Sequence, residues 1–273
     1  MSIDEFRVAD QVVAITGGTG VLGGALAVGL ASAGAKVAVM GRREEQGRAV
    51  VERIRQADGV AEFFAMDVTS LDSCRSAADA VIGAWDHIDA LINAAGGNSA
   101  SATATPDQSF FDLDAEALQF VMQLNAMGTV LPCQVFGQQI ARRQRGAIVN
   151  ISSMAALRPL TRVVGYSAAK AAVTNFTQWL SVYMCQHVGP EVRVNAVAPG
   201  FFLTEQNRYL LTQPESGELT DRGQQIVAQT PMGRFGEPDE LIGTVQWLLS
   251  PASRFVTGVV VPVDGGFSAF SGV

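Results

Sequence analysis

Val12-Val-Ala-Ile-Thr-Gly-Gly-Thr-Gly-Val-Leu-Gly23 is the stretch on which the fold turns. It opens as an apolar run, Val12–Ile15, breaks at Thr16 into a glycine-rich turn, and resumes as a small-residue helix over Val21–Ala33. A short apolar run bounded by turn residues reads as a buried strand. Gly18, Gly20 and Gly23 fit G-x-G-x-x-G between that strand and that helix. Glycine is needed there because the backbone turns sharply and its N–H groups approach a phosphate at a helix N-terminus, where the partial positive charge helps. In a chain with 28 glycines the spacing alone is a weak signal. Its place after the first strand favours a dinucleotide-phosphate site over a plain tight turn.

Outward from this stretch, apolar runs and helical stretches alternate. Strands are predicted at Lys36–Met40, Ala61–Met66, Asp89–Asn93, Gly146–Ile151, Arg193–Ala196 and Val259–Val263. Helices are predicted at Glu44–Ala57, Leu71–Ala84, Ala115–Arg142, Ser167–His187 and Asp239–Leu249. Strands that are apolar throughout suit a parallel sheet covered on both faces. The alternation predicts one α/β domain over 1–273, a Rossmann-type doubly wound parallel β-sheet flanked by helices. Two irregular segments, 96–113 and 201–237, follow predicted strands, so both are expected at the carboxyl edge of the sheet, where ligands bind.

Composition narrows the classes. Charged residues make up 16%, against about 25% in an average domain, and 48% are hydrophobic, which excludes general disorder. The net charge of −7 argues against a nucleic-acid partner. The start, MSIDEFRVAD, has no apolar run and is no secretory signal. The uncharged stretches Gln11–Ala35 and Ala171–Pro190 are long enough to span a membrane, but one is too rich in glycine and the other in polar residues. Cys74, Cys133 and Cys185 are odd in number and widely spaced, as expected of reduced thiols in a cytoplasmic protein. His87 and His187 have no second ligand at metal spacing, so no metal is expected.

The second strand ends Met40-Gly41-Arg42-Arg43, with no acid to hold a ribose 2′-hydroxyl. A guanidinium accommodates a 2′-phosphate, which tilts the expectation from NAD towards NADP. Tyr166 and Lys170 stand at i and i+4, on one helix face. A phenol titrates near 10, and a neighbouring ammonium is expected to lower it towards useful acid–base chemistry. Ser153 follows the strand Gly146–Ile151 and offers a hydroxyl to polarise a carbonyl.

Together, the Thr16–Gly23 loop, Asp67-Val68, Asn93-Ala94-Ala95-Gly96, Asn125, Ser153, Tyr166-x-x-x-Lys170, and Pro199-Gly200 with Thr204 resemble the short-chain dehydrogenase/reductase family over essentially the whole chain. The resemblance implies Tyr166 as general acid–base, Ser153 as positioner of the substrate oxygen, Lys170 on the nicotinamide ribose and Asn125 in a proton relay through water. It implies that Thr16, Gly17, Gly18, Thr19, Gly20, Val21, Leu22, Gly23, Arg42, Arg43, Asp67, Val68, Asn93, Ala94, Ala95, Gly96, Tyr166, Lys170, Pro199, Gly200, Phe202 and Thr204 surround NAD(P)(H). It also implies a homotetramer or homodimer, with helix Ser167–His187 as a candidate interface. One departure concerns the family loop T-G-x-x-x-G-x-G, whose middle glycine falls on Val21, with Gly20 one place earlier.

Further words, Ala95-Gly-Gly-Asn98, Phe110-Phe-Asp-Leu-Asp114, Asn175-Phe-Thr-Gln-Trp179, Gly200–Arg208, Thr230–Pro238 and Val261–Val273, resemble the bacterial D-mannonate oxidoreductase (fructuronate reductase) branch. This implies hydride transfer between nicotinamide and a carbonyl or secondary alcohol of a small-molecule sugar acid, D-fructuronate or D-mannonate. Such a substrate needs hydrogen-bond donors and a guanidinium for its carboxylate. Asn98, Ser153, Arg158 and Arg208 are the candidates, with Arg162 also in reach, although each arginine reads equally as solvated surface. The alternatives are a reductase of a 3-oxoacyl thioester or another polyol, and a non-catalytic dinucleotide-binding sensor.

Overall fold

Seven parallel strands form one sheet in the order β3-β2-β1-β4-β5-β6-β7: β1 (Val12–Thr16), β2 (Lys36–Gly41), β3 (Val60–Ala65), β4 (Ala90–Asn93), β5 (Gly146–Ile151), β6 (Val192–Pro199) and β7 (Val260–Val263). The computed structural model describes residues 3–203, 208, 211–213 and 216–272. Strand order reverses between β1 and β4, which opens the crevice where open α/β sheets bind ligands.

Successive side chains along a strand point to opposite faces, so each central strand feeds two cores. On one face Val13, Ile15, Val39 and Ile92 pack with Leu26 and Leu30 of α1 (Val21–Ser32), Val51 and Ile54 of α2 (Glu44–Gln56), and Leu248 near the C-terminus. On the other face Val12, Ala14, Met40 and Leu91 pack with Cys74 and Val81 of α3 (Leu71–Trp85) and with Phe136, Ile140, Leu180 and Met184. Every residue of β1, β4 and β6 is buried. The apolar strands are thus explained by a sheet covered on both sides.

The helix expected over Ala115–Arg142 is three pieces: α4 (Ala115–Met122), a π-helical turn over Gln123–Met127, and α5 (Gly128–Arg142). Wide turns of this kind re-aim side chains and recur at functional sites. Here the turn carries Asn125, which is buried. Helix α6 (Val164–His187) begins earlier than the sequence indicates, so Tyr166 lies in its first turn. Within 201–237 a helix unforeseen in the sequence, α7 (Asp221–Ala228), is capped by Thr220 on the Gly223 N–H at 3.1 Å. The helix expected at Asp239–Leu249 is a 3-10 turn, Pro238–Leu241, followed by α8 (Ile242–Leu249).

Candidate active site

The glycine turn after β1 lies directly on the chain that leaves β4. Gly17 has φ +66°, and a Cβ there would stand 2.6 Å from the Ala95 nitrogen. A Cβ on Gly23 would stand 2.3 Å from the Gly17 carbonyl oxygen, so glycine alone lets the first turn of α1 seat against the loop. The Gly20 N–H donates to the Gly17 carbonyl at 2.9 Å, and Gly20 is the N-cap of α1 without a side-chain cap. Val21, at the family's middle-glycine position, is the first residue of α1. The uncapped helix N-terminus supplies donors and a positive dipole end to an anion. The turn and its glycine cradle therefore fit the pyrophosphate of a dinucleotide.

A cleft of about 540 Å³ opens above this turn. Gly17, Thr19, Gly20, Val21, Leu22 and Gly23 line its floor; Arg42, Arg43 and Val68 one end; Ala94, Ala95, Gly96, Tyr166, Lys170, Gly200 and Phe202 the other. Arg43 is committed to the Thr19 carbonyl, which accepts from its Nη2 at 2.7 Å, whereas Arg42 makes no hydrogen bond among the described residues. Asp67 and Thr16 stand behind the lining. Burial raises the Asp67 carboxyl, but hydrogen bonds from the Thr69 hydroxyl and N–H, with the charge of Arg42, outweigh it and hold the group low. Thr16 Oγ1 accepts from the Ala95 N–H at 3.2 Å, and the Gly18 N–H donates to the Met40 carbonyl at 3.0 Å. Asn93 is buried beneath the cleft, its amide donating to Asn150 Oδ1 at 2.9 Å and to the Cys133 sulfur at 3.1 Å. Pro199 closes β6. Thr204 lies outside the described residues.

The reactive groups gather at the inner end. Buried Lys170 donates from Nζ to the Ile151 carbonyl at 2.7 Å and stands 5.6 Å from the centroid of the Tyr166 ring. Ser153 follows β5 and accepts from the Ala155 N–H at 3.1 Å, and its hydroxyl is near enough to that of Tyr166 to act on the phenol's titration. Asn125 Oδ1 and Lys170 Nζ flank Gly96: a Cβ on that glycine would stand 2.7 Å from the first and 3.3 Å from the second. Burial lowers Lys170 to about 8. Burial also raises the Tyr166 phenol, with the Ser153 hydroxyl pulling the other way. The sequence expectation that Lys170 lowers the phenol is thus reversed by desolvation, which penalises the phenolate.

Three segments hold the substrate candidates, those after β4, β5 and β6. Asn98 donates to Thr103 Oγ1 at 2.8 Å and folds the loop after β4 on itself. Arg158 donates to the Phe270 carbonyl at 3.4 Å, on the C-terminal tail. Arg208 is exposed, and its carbonyl accepts from the Thr212 N–H at 2.7 Å. Sequence reasoning did not find Ile151, whose role is a backbone carbonyl and leaves no trace in residue type. Phe201 lines the cleft and packs edge-on against Phe267 of the tail, 5.1 Å between centroids. Among the described residues no cluster of His, Cys, Asp or Glu could hold a metal ion, and no helix is long and apolar enough to cross a membrane.

A family profile described as enoyl-(acyl carrier protein) reductase matches residues 19–268. The chain belongs to the short-chain dehydrogenase/reductase family. It is 46% identical to the uncharacterized oxidoreductase UxuB of Bacillus subtilis, over 98% of each chain. A Haemophilus influenza structure with bound NAD, provisionally named a D-mannonate oxidoreductase, superposes with a TM-score of 0.91 at 42% identity, over 98% of each chain. A gluconate 5-dehydrogenase from Burkholderia cenocepacia, in complex with NADP and tartrate, superposes with a TM-score of 0.86 at 31% identity, again over 98% of each chain. As a member of the family, the chain is an NAD(P)-dependent oxidoreductase acting on alcohols and ketones.

Proposed function

We propose that this oxidoreductase interconverts a keto sugar acid and its hydroxy acid, with D-fructuronate and D-mannonate as the leading pair. The observation that carries the chemistry is Tyr166, with Lys170 Nζ 5.6 Å from its ring centroid, at the inner end of a cleft whose floor is the glycine turn. The substrate class is supported by the provisional name of the Haemophilus relative and by the gluconate dehydrogenase likeness.

A nicotinamide dinucleotide, when bound, supplies or accepts the hydride. The chain's own residues do the rest. The α1 N-terminus and the glycine turn hold the pyrophosphate. Tyr166, kept protonated at neutral pH by burial, donates its proton to the carbonyl oxygen during reduction. Ser153 donates a second hydrogen bond to that oxygen and stabilises the developing charge. Lys170, anchored on Ile151, places positive charge beside the phenol and would hold the ribose hydroxyls of a bound dinucleotide. Arg42 supports acceptance of a 2′-phosphate, while the NAD-bound relative supports use of NAD, so both dinucleotides belong to the reading.

Self-association as a tetramer or dimer is part of the same reading. Phe176, Trp179, Tyr183 and His187 stack along one face of α6, with Trp179 58% exposed, a stripe that a second copy could cover. The test of function is a substrate panel of D-fructuronate, other keto sugar acids, neutral ketoses and a 3-oxoacyl thioester, each with NADH and NADPH. Turnover of a keto sugar acid above the other classes is expected. Turnover of the thioester alone, or of no acid, sinks the substrate assignment.

A further inference from the structure

Phe201 stands between two cavities. On one side it lines the dinucleotide cleft together with Tyr166, Lys170 and Gly200. On the other it lines a second cavity of about 410 Å³, with Thr230, Met232, Phe235 and Asp264. A ring with open space on both sides has little packing to fix its rotamer, because a void offers it no partner atoms. The ring that meets it is Phe267, edge-on, with 5.1 Å between centroids and 62° between planes. Both rings are half-buried. Phe267 belongs to the turn 264–270 that follows β7. The Asp264 carboxylate folds this turn, accepting from the Gly266 N–H at 3.0 Å and the Ser268 N–H at 2.8 Å. The turn is keyed to the start of the segment after β6. There the Gly200 N–H donates to the Val263 carbonyl at 3.0 Å, and a Cβ on Gly200 would stand 2.7 Å from Asp264 Cα. At its far end the Phe270 carbonyl accepts from Arg158 at 3.4 Å, on the segment after β5 that carries Ser153.

We propose that Phe267 is a positioning residue for the reaction: it holds Phe201 on the cleft side, at the Tyr166 end, and keeps that ring from turning into the second cavity. The C-terminal turn then sets how tightly substrate is held, although Phe267 itself stands behind the cleft lining. A carbonyl must come to the Tyr166 end to take the phenol's proton, and an aromatic face there offers apolar contact to the C–H side of the molecule. An edge-to-face aromatic pair biases a rotamer choice by a factor of roughly 2 to 10. Affinity for substrate falls with the fraction of molecules in the competent arrangement. Loss of the Phe267 ring therefore acts on substrate KM, and saturating substrate restores kcat by drawing Phe201 back. The role rests on the reading of Tyr166 as proton donor, and not on the sugar-acid class.

The experiment compares Phe267→Ala, Phe267→Leu and Phe267→Tyr with the parent, in two arms. The kinetic arm uses whichever compound of the substrate panel the parent reduces fastest. Its KM is expected to rise about 2- to 10-fold in Phe267→Ala and less in Phe267→Leu, with kcat within about twofold. Phe267→Tyr keeps the ring edge and should restore the parent KM. The KM for the dinucleotide should stay within about twofold, since the glycine turn that holds the pyrophosphate is untouched. A merely structural role would instead inactivate part of the enzyme, lowering kcat with KM unchanged. The second arm is a crystal structure of Phe267→Ala with NAD⁺, in which the Phe201 ring is expected to have turned into the second cavity. A Phe201 ring that keeps its place, or an unchanged substrate KM in Phe267→Ala, overturns the positioning role and leaves the function standing. Tyr166→Phe in the same assay tests the reading beneath it: turnover near the parent rate overturns Tyr166 as proton donor, and with it the role of Phe267 in the reaction. A parent that reduces a neutral ketose or the thioester but no sugar acid overturns the substrate class alone. A parent that reduces none of the panel overturns the proposed function, and the place of the Phe201 ring in the crystal then decides the positioning by itself.

Discussion

The side-chain amide of Asn125 grips the backbone of Gly97 from both sides. Oδ1 accepts the Gly97 N–H at 3.1 Å, and Nδ2 donates to the Gly97 carbonyl at 2.7 Å. The same Nδ2 donates to the Val121 carbonyl at 2.8 Å, so the buried amide is fully engaged. The family resemblance implies a water relay through Asn125. The geometry adds a structural role, in which the amide clamps the chain that runs past Gly96 into the cleft. The π-helical turn at Gln123–Met127 carries this clamp.

Replacing Asn125 with alanine leaves the Gly97 N–H and carbonyl without their partner. Unpaired buried polar groups are costly, so Asn125→Ala is expected to lose about 2–4 kcal/mol in urea unfolding and to bind dinucleotide more weakly. An unchanged unfolding midpoint would contradict the clamp.

Lys170 titrates near 8 in the folded chain, against an ordinary 10.5. Below about pH 8 the ammonium is charged in both folded and unfolded chains, and the desolvation penalty is constant. Between those values the unfolded chain binds more protons, so stability rises with pH as the penalty is relieved. The thermal midpoint of the parent should therefore gain on that of Lys170→Met as pH climbs from 8 to 10.5. A constant difference between the two curves contradicts the burial argument.

If a 2′-phosphate is bound, Arg42 is the guanidinium left to meet it, because Arg43 is spent on the Thr19 carbonyl. Arg42→Ala is expected to lower kcat/KM for NADPH on the order of 10- to 100-fold, with NADH little affected. Arg43→Ala should instead disturb both dinucleotides alike, by loosening the turn at Thr19. Equal losses with both dinucleotides in Arg42→Ala remove the basis for 2′-phosphate recognition.

Much of this was legible in the sequence because the signals are local. The apolar β1 followed by Gly17–Gly23, and Tyr166 with Lys170 one turn on, are short-range patterns, and the structure puts them on one cleft. The break in Ala115–Arg142 was not legible, since Asn125 makes its bonds to Gly97 across a long chain separation. Helix α7 buries only Gly223 and Ile226, too little apolar surface to stand out from a polar segment. Its cap, Thr220 ahead of Asp221, was the available sign. The direction of the Tyr166 shift depends on desolvation, which residue spacing does not encode.

The central claim is that the Tyr166 phenol carries the proton for a hydride transfer to a keto sugar acid. The direct measurement is reduction of D-fructuronate by Tyr166→Phe beside the parent, with dinucleotide affinity followed by fluorescence titration. The phenyl ring keeps the packing and removes only the hydroxyl. The account predicts a fall in kcat of about 100- to 10,000-fold, with dinucleotide binding unchanged. A variant that turns over near the parent rate while binding dinucleotide normally would contradict it.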